Sequence, residues 1–384
     1  MSFYERLLTL DDALADDPGS FGAADVERAL DAPSVTREGF RALLSPAAVP
    51  FLERAARRAQ DLTVRNFGRT ILLYTPLYLS NYCGNACRYC GFAATNRIKR
   101  AKLTLPEVEA EARLIGAMGF RHVLVLTGDS RSMSPVGYIR DCVEILREHF
   151  SSIAIEVYAL ETAEYAALVE AGVDGLTIYQ ETYDRALYAD LHPRGPKRDF
   201  RFRLEAPERA CEAGVRAVNL GALLGLGDFR RDVLLLALHA DYLQRTRPDV
   251  EVSISLPRLR PHGGSFEPAH VVTDTDLASA LVALRLFLPR VGLTLSTRES
   301  AALRDHLIPL GVTSMSAGSS TSVRGHLEPS AEPPQFDISD HRDVPAVRRA
   351  IASAGYKSIF KDWDPLGERS PVEGGGRGLE GTLR

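Results

Sequence analysis

Cysteine is scarce in this chain, five residues in 384, yet Cys83, Cys87 and Cys90 fall within eight positions of one another. The other two, Cys142 and Cys211, sit in stretches of helical period. An odd count with three crowded together excludes a disulfide framework and leaves thiols available to a metal. Long hydrophobic runs are also missing: no apolar stretch approaches the length that spans a bilayer. The opening "MSFYERLLTLDDALADD" lacks the basic start and apolar core of a secretory signal, so a cytoplasmic protein without a membrane partner is expected. Charge of one sign is not in surplus either. Lys and Arg number 46 against 50 Asp and Glu, a formal charge of -4, which argues against nucleic acid and for a small-molecule partner. What is present is an ordinary globular composition, 45% hydrophobic and 25% charged, in a chain long enough for one large domain or two smaller ones.

From about residue 70 to 320, short β-branched or apolar runs alternate with longer stretches of helical period. The runs are "LYLSNYC", "HVLVLTGD", "IAIEVYA", "GLTIYQET", "AVNLGALLG", "VEVSISLPR", "GLTLSTRE" and "VTSMSAGSS". Gly119, Gly172, Gly214 and Gly292 each stand where a helix C-cap needs positive φ. Thr104 and Glu107 form a capping-box pattern. Strict βα alternation predicts a parallel sheet, and eight units match a (β/α)8 TIM-type barrel rather than an open doubly wound sheet. Residues 1–70 read as an N-terminal helical extension, with "SPAAVPFLERAARRAQDLTVRNFG" its most amphipathic part, and 71–325 as the barrel. Residues 326–364 read as a C-terminal extension, Pro-rich at first and then a helix and a short strand, and 365–384 as a disordered tail.

The cysteines occupy "YLSNYCGNACRYCGF", just after the first strand, where a barrel enzyme carries catalytic groups. A structural zinc site needs four protein ligands, and no other Cys or His follows until His122, so zinc would require a distant fourth ligand. A 4Fe-4S cluster on three cysteines leaves one iron open for a substrate or cofactor. CxxxCxxC with an aromatic residue, Tyr89, before the last cysteine resembles the loop of the radical S-adenosylmethionine enzymes. The resemblance implies S-adenosyl-L-methionine as the fourth ligand and a 5'-deoxyadenosyl radical as the hydrogen-abstracting species.

Over most of its length the chain is similar to a narrower family, the tyrosine lyases called 2-iminoacetate synthases of thiamine biosynthesis. The shared stretches include "PLYLSNYCGNACRYCGF", "NRIKR", "YQETY", "GPKRDFRFRLEAPERA", "PRLRP", "LSTRES", "SAGSST" and "KDWD". This resemblance implies cleavage of the Cα–Cβ bond of L-tyrosine to 2-iminoacetate (dehydroglycine) and p-cresol, with 5'-deoxyadenosine and methionine formed. It also implies a low-potential flavodoxin or ferredoxin as reductant and thiazole synthase as a partner. For the cofactor it implies Thr127, Gly128 and Asp129, where the family's usual segment is Thr-Gly-Glu, together with Gln180, Glu181 and Arg203. A guanidinium suits the cofactor carboxylate because it binds bidentately without competing for iron. The other cations after strand four, His192, Arg194, Lys197, Arg198 and Arg201, read as a solvated face.

For the substrate carboxylate, Arg298 is the first choice and Arg258 the reserve, with Ser296, Thr297 and Ser319 as local donors; Tyr78 is a further candidate for the cavity wall. Where relatives often carry Gly-Gly-Tyr, this chain has Arg324, Gly325 and His326. Three rival readings stand beside this one. A lyase acting on tryptophan would differ only in pocket shape, and a non-catalytic iron-sulfur or zinc module would leave the open iron unused. The hydrogenase-maturation tyrosine lyase needs extra C-terminal cysteines, and residues 212–384 contain none.

Overall fold

The first strand is the longest because it has three partners to serve. In the computed structural model, which describes residues 1–13, 20–260, 266–268, 270–328 and 332–360, β1 (Thr70–Ser80) pairs in parallel with β2 (His122–Thr127) through Thr75 and Val123. Its earlier residues pair with β8 (Ser314–Ser316), Leu72 facing Ser314. Between them run β3 (Ser152–Glu156), β4 (Gly175–Glu181), β5 (Ala217–Ala222), β6 (Glu251–Ser255) and β7 (Gly292–Leu295), each bonded to the next, so the eight strands close a parallel barrel. Each of the eight apolar runs is a strand. The first begins seven residues before its run, because Pro76 interrupts the pattern of Thr70–Ser80 without ending the strand. A ninth strand, β9 (Lys357–Ile359), extends the sheet beside the start of β1.

Helices cover the barrel as the alternation requires. Glu107 accepts the Thr104 N–H at 2.7 Å and so starts the helix Leu105–Ala117. Gly119, Gly172 and Gly214 have φ of +95°, +124° and +91°. Gly292 does not share this conformation: it is the first residue of β7, where a Cβ would come within 2.8 Å of the Ser253 Cβ. Four N-terminal helices pack outside: Phe3 stacks on His239 at 4.1 Å, and Phe40 on Phe287 at 4.6 Å. Among the described residues no helix is long and apolar enough to cross a membrane. "KDWD" and the tail 365–384 lie outside the described residues.

After β8 the chain returns across the mouth of the barrel. This segment is tied down by a buried ion cluster in which Asp340 meets Arg304 and Arg342, while Arg342 also holds Asp305 at 2.9 Å. Both β1 and β4 shift register at their last residues, and such irregularities at a barrel rim redirect side chains.

Candidate active site

The cysteine loop leaves β1 without a helix or strand of its own, so its backbone groups are satisfied by side chains and by the backbone of neighbouring segments. Arg100 donates to the carbonyls of Asn81, Phe92 and Ala93 at 2.7–2.8 Å, and Asn96 to those of Cys90 and Gly91 at 3.1 and 3.0 Å. The "NRIKR" stretch is therefore the frame of the loop. The loop then lies against the end of β2, Gly84 donating to the Asp129 carbonyl at 2.7 Å, and only glycine fits at 128, where a Cβ would stand 2.3 Å from the Tyr82 oxygen.

Cys83, Cys87 and Cys90 line one cavity at the C-terminal mouth of the barrel. Burial pushes all three thiols up, Cys87 to about 12, and the nearby Lys197 opposes this at Cys87 and Cys90. Unliganded, they are neutral thiols; as thiolates they need a cationic partner, and three soft sulfurs are the donor set of an iron-sulfur cluster.

Across from the loop, buried acceptors stand unfilled. Asp129 takes the Asn85 amide on Oδ2 at 2.6 Å, while its Oδ1 and the Thr127 hydroxyl are buried with no partner among the described residues. These orphaned oxygens fit the ammonium hydrogens of an amino-acid-like cofactor. Glu181 has a left-handed backbone, φ +71°, and its carboxylate meets Lys197 at 2.5 Å and Arg203 at 3.9 Å. Burial opposes its charge, but the two cations hold its carboxyl below the usual range. Arg203 is anchored by its Nε on the Tyr179 carbonyl at 2.7 Å.

Gln180 is a correction. Alternation along β4 puts Tyr179 and Glu181 in the cavity and turns Gln180 outward, where its amide reaches the Phe200 carbonyl at 3.5 Å. The solvated reading of the cations after β4 fits Arg194, Arg198 and Arg201, which are exposed, but not Lys197 or His192. His192 is fully buried and bonds the Tyr89 hydroxyl at 2.7 Å; burial, with help from Lys197, lowers its pKa to about 3, so it is neutral.

On the far side, Arg298 enters the cavity with no ion-pair partner among the described residues. Its guanidinium lies 3.3 Å from the centre of the Phe336 ring, a cation–π contact, and burial lowers its pKa against the pull of Tyr179 and Tyr78. Glu299 does not pair with it, being committed to Arg258 and Arg260. Arg258, the reserve, is not brought to the cavity: all three of its nitrogens are engaged by Glu299, Asp274 and the Val272 carbonyl. Arg260 lines the cavity in its place.

The donors expected around Arg298 are not there either. The Ser296 hydroxyl accepts the Arg298 N–H at 3.3 Å, Thr297 donates its N–H to Ser316, and Ser319 is half-buried, its hydroxyl enclosed but off the cavity wall.

Among the wall residues that escaped the sequence reading are Asn85, Glu156, Tyr179, Gln335 and Phe336. Gln335 accepts the Tyr78 hydroxyl at 2.8 Å and its amide approaches the Cys90 sulfur at 3.8 Å, so Tyr78 touches the cavity through it. Asn85 lay inside the quoted cysteine motif, and Glu156 is an acid inside the otherwise uncharged run "IAIEVYA"; those were the available signals. Nothing in "EPPQF" marks Gln335 and Phe336.

Arg324, Gly325 and His326 do not reach this wall. Arg324 pairs with Glu107 at 2.7 Å and Glu332 at 3.3 Å, and His326 reaches the Pro76 carbonyl at 3.3 Å, bracing the outside of the barrel.

Residues 77–239 match the Radical SAM superfamily, and 255–357 the Biotin and Thiamin Synthesis associated domain. The chain is 45% identical to the 2-iminoacetate synthase of Escherichia coli over 343 residues, 89% of this chain and 91% of that protein. It is 44% identical to that of Salmonella typhimurium over the same shares. Its fold superposes on the crystal structure of HydG, a maturase of the FeFe hydrogenase, with a TM-score of 0.84 and 31% identity over 93% of this chain and 80% of that one.

Proposed function

The chain belongs to the 2-iminoacetate synthase family of radical S-adenosylmethionine enzymes, and from that premise we propose which residues perform tyrosine cleavage in this barrel. The reaction splits the Cα–Cβ bond of L-tyrosine into 2-iminoacetate and p-cresol, and its electron comes from an external reductant. The bound 4Fe-4S cluster and S-adenosylmethionine supply one-electron cleavage of a carbon–sulfur bond and removal of a hydrogen atom. Cys83, Cys87 and Cys90 hold the cluster, while Thr127 and Asp129 receive the cofactor's ammonium group. Glu181 and Arg203 bind the rest of its polar surface, with Lys197 keeping Glu181 ionised.

The observation that carries the substrate assignment is the unpaired guanidinium of Arg298, which shares one cavity with the three cysteines. It fixes the tyrosine carboxylate, and Phe336 holds its plane, so that the amine is presented to the radical carbon rather than the ring or Cβ; such positioning contributes several kcal/mol to a barrier. Arg260 is the second cation on that wall. Flavodoxin or ferredoxin as reductant, thiazole synthase as the acceptor of 2-iminoacetate, and a cytoplasmic location complete the reading.

The test is the ratio of p-cresol to 5'-deoxyadenosine in the anaerobically reconstituted enzyme. Arg298→Ala should raise the KM for tyrosine at least tenfold and lower that ratio, leaving uncoupled cofactor cleavage measurable. Wild-type KM and ratio in Arg298→Ala would refute the assignment.

A further inference from the structure

Three carboxylates line the cavity, and two of them are spoken for. Asp129 is bonded to Asn85 beside the cysteines, and Glu181 to Lys197. Glu156, the last residue of β3, makes no hydrogen bond or ion pair among the described residues, although it stands in the barrel mouth between them. Its surroundings differ from those of the other two. The cysteine thiols feel Asp129 or Glu181, whereas the charge of Glu156 is felt by Tyr74, Tyr78 and Tyr179, the same three tyrosines that respond to Arg298. Glu156 feels Glu181 as well as Arg298, so it is the one of the three carboxylates left uncommitted within reach of the half of the cavity that holds Arg298.

An amino acid fixed by its carboxylate on Arg298 brings an ammonium group into that half. An ammonium nitrogen has no lone pair to stabilise a nitrogen radical, so hydrogen-atom removal from nitrogen requires the neutral amine. Resting on the tyrosine reading above, we propose that Glu156 is the residue that accepts the proton of the substrate's ammonium group and then holds the neutral amine by a hydrogen bond. In this step one N–H bond of the ammonium breaks heterolytically and one O–H bond forms on Glu156. The nitrogen keeps the electron pair, nothing is oxidised or reduced, and the proton returns to solvent when products leave.

The titration of Glu156 suits the task. Burial, reinforced by Glu181, pushes it up to about 7, against the opposing charges of Arg298, Arg203 and Lys197. A carboxylate at that value is both available as a base near neutral pH and strong enough to take the proton, the compromise that general-base catalysis demands. The charges that set it are Glu181 on β4, Arg298 after β7, and Arg203 and Lys197 in the segment after β4, while the phenols of Tyr74, Tyr78 and Tyr179 are themselves raised by its charge.

Glu156→Gln keeps the shape and a hydrogen-bond acceptor but cannot take a proton. Two quantities are measured from pH 6 to 9: p-cresol formed per 5'-deoxyadenosine, and the apparent Kd of L-tyrosine from its perturbation of the reduced cluster's electron paramagnetic resonance signal. In the wild type, kcat/KM for tyrosine should rise through a limb near pH 7. In Glu156→Gln that limb should move to higher pH, where the substrate ammonium dissociates unaided, and the p-cresol ratio at pH 7 should drop at least tenfold while Kd changes less than threefold. Glu156→Asp, should Gln not fold, is expected to keep a limb near neutrality with a lower kcat. A variant whose pH profile and ratio superimpose on the wild type would overturn the role of Glu156 alone. A wild type that forms no p-cresol would overturn the tyrosine reading and this role with it.

Discussion

Asp129 spends one carboxylate oxygen on Asn85 and keeps the other buried and without a partner among the described residues, which is the acceptor proposed above for the cofactor's ammonium. A charged hydrogen bond of this kind is worth about 2 kcal/mol, roughly thirtyfold in affinity. Asp129→Ala should therefore weaken S-adenosylmethionine binding by that order in equilibrium dialysis with the reconstituted protein, and Asp129→Glu should recover most of it. Unchanged affinity in Asp129→Ala would refute the contact. Residues of this sort were legible to different degrees. The cysteines announced themselves because the spacing of three soft ligands has few other uses. Lys197 did not, since one lysine in a run of cations looks solvated, and what makes it different is the fold: the Lys197 N–H is held by the Asn85 side chain at 3.0 Å, which brings its ammonium to Glu181.

Among the elements, β4 is the one whose end is most tightly managed. Glu181 takes a left-handed φ that a residue with a Cβ adopts at a cost, and the next two residues are clamped by Asp232 from the helix Phe229–Thr246, which accepts the Thr182 hydroxyl at 3.0 Å and the Tyr183 N–H at 2.7 Å. Burial raises Asp232 from 3.8 to about 7. The folded state thus binds its proton more tightly than the unfolded chain. The stability it contributes is complete below about pH 4 and is lost as pH rises towards 7. Asp232→Asn cannot lose a proton, and its Oδ1 can still accept both bonds. Its melting temperature relative to the wild type should rise between pH 5 and pH 8; a difference independent of pH would contradict this. Alternation and capping signals located the strands and helices well, because each is a local pattern. They could not locate the crossing segment around Gln335, whose position depends on Asp340 meeting Arg304 and Arg342 meeting Asp305, both in an earlier helix. The segment Arg324, Gly325 and His326, where relatives often carry Gly-Gly-Tyr, likewise had no local pattern to place it. It proves to be a brace on the barrel's flank because Arg324 finds Glu107 and Glu332.

At the scale of the whole molecule, the barrel gathers into one chamber residues from the ends of β1 to β7, or the loops directly after them, and from the segment that returns over them. The three cysteines, Asp129 and Glu181 share that chamber with Arg298, Phe336 and Glu156. With this arrangement the chain works as a tyrosine lyase. The measurement that tests it most directly is anaerobic: reconstitute the cluster, add S-adenosylmethionine and dithionite, offer each aromatic amino acid in turn, and assay 5'-deoxyadenosine, p-cresol and glyoxylate, the hydrolysis product of 2-iminoacetate, with Cys83→Ala as the blank. The account predicts p-cresol and glyoxylate from tyrosine alone and no 5'-deoxyadenosine from the blank. Formation of 5'-deoxyadenosine without p-cresol, or cleavage products from tryptophan instead, would contradict it.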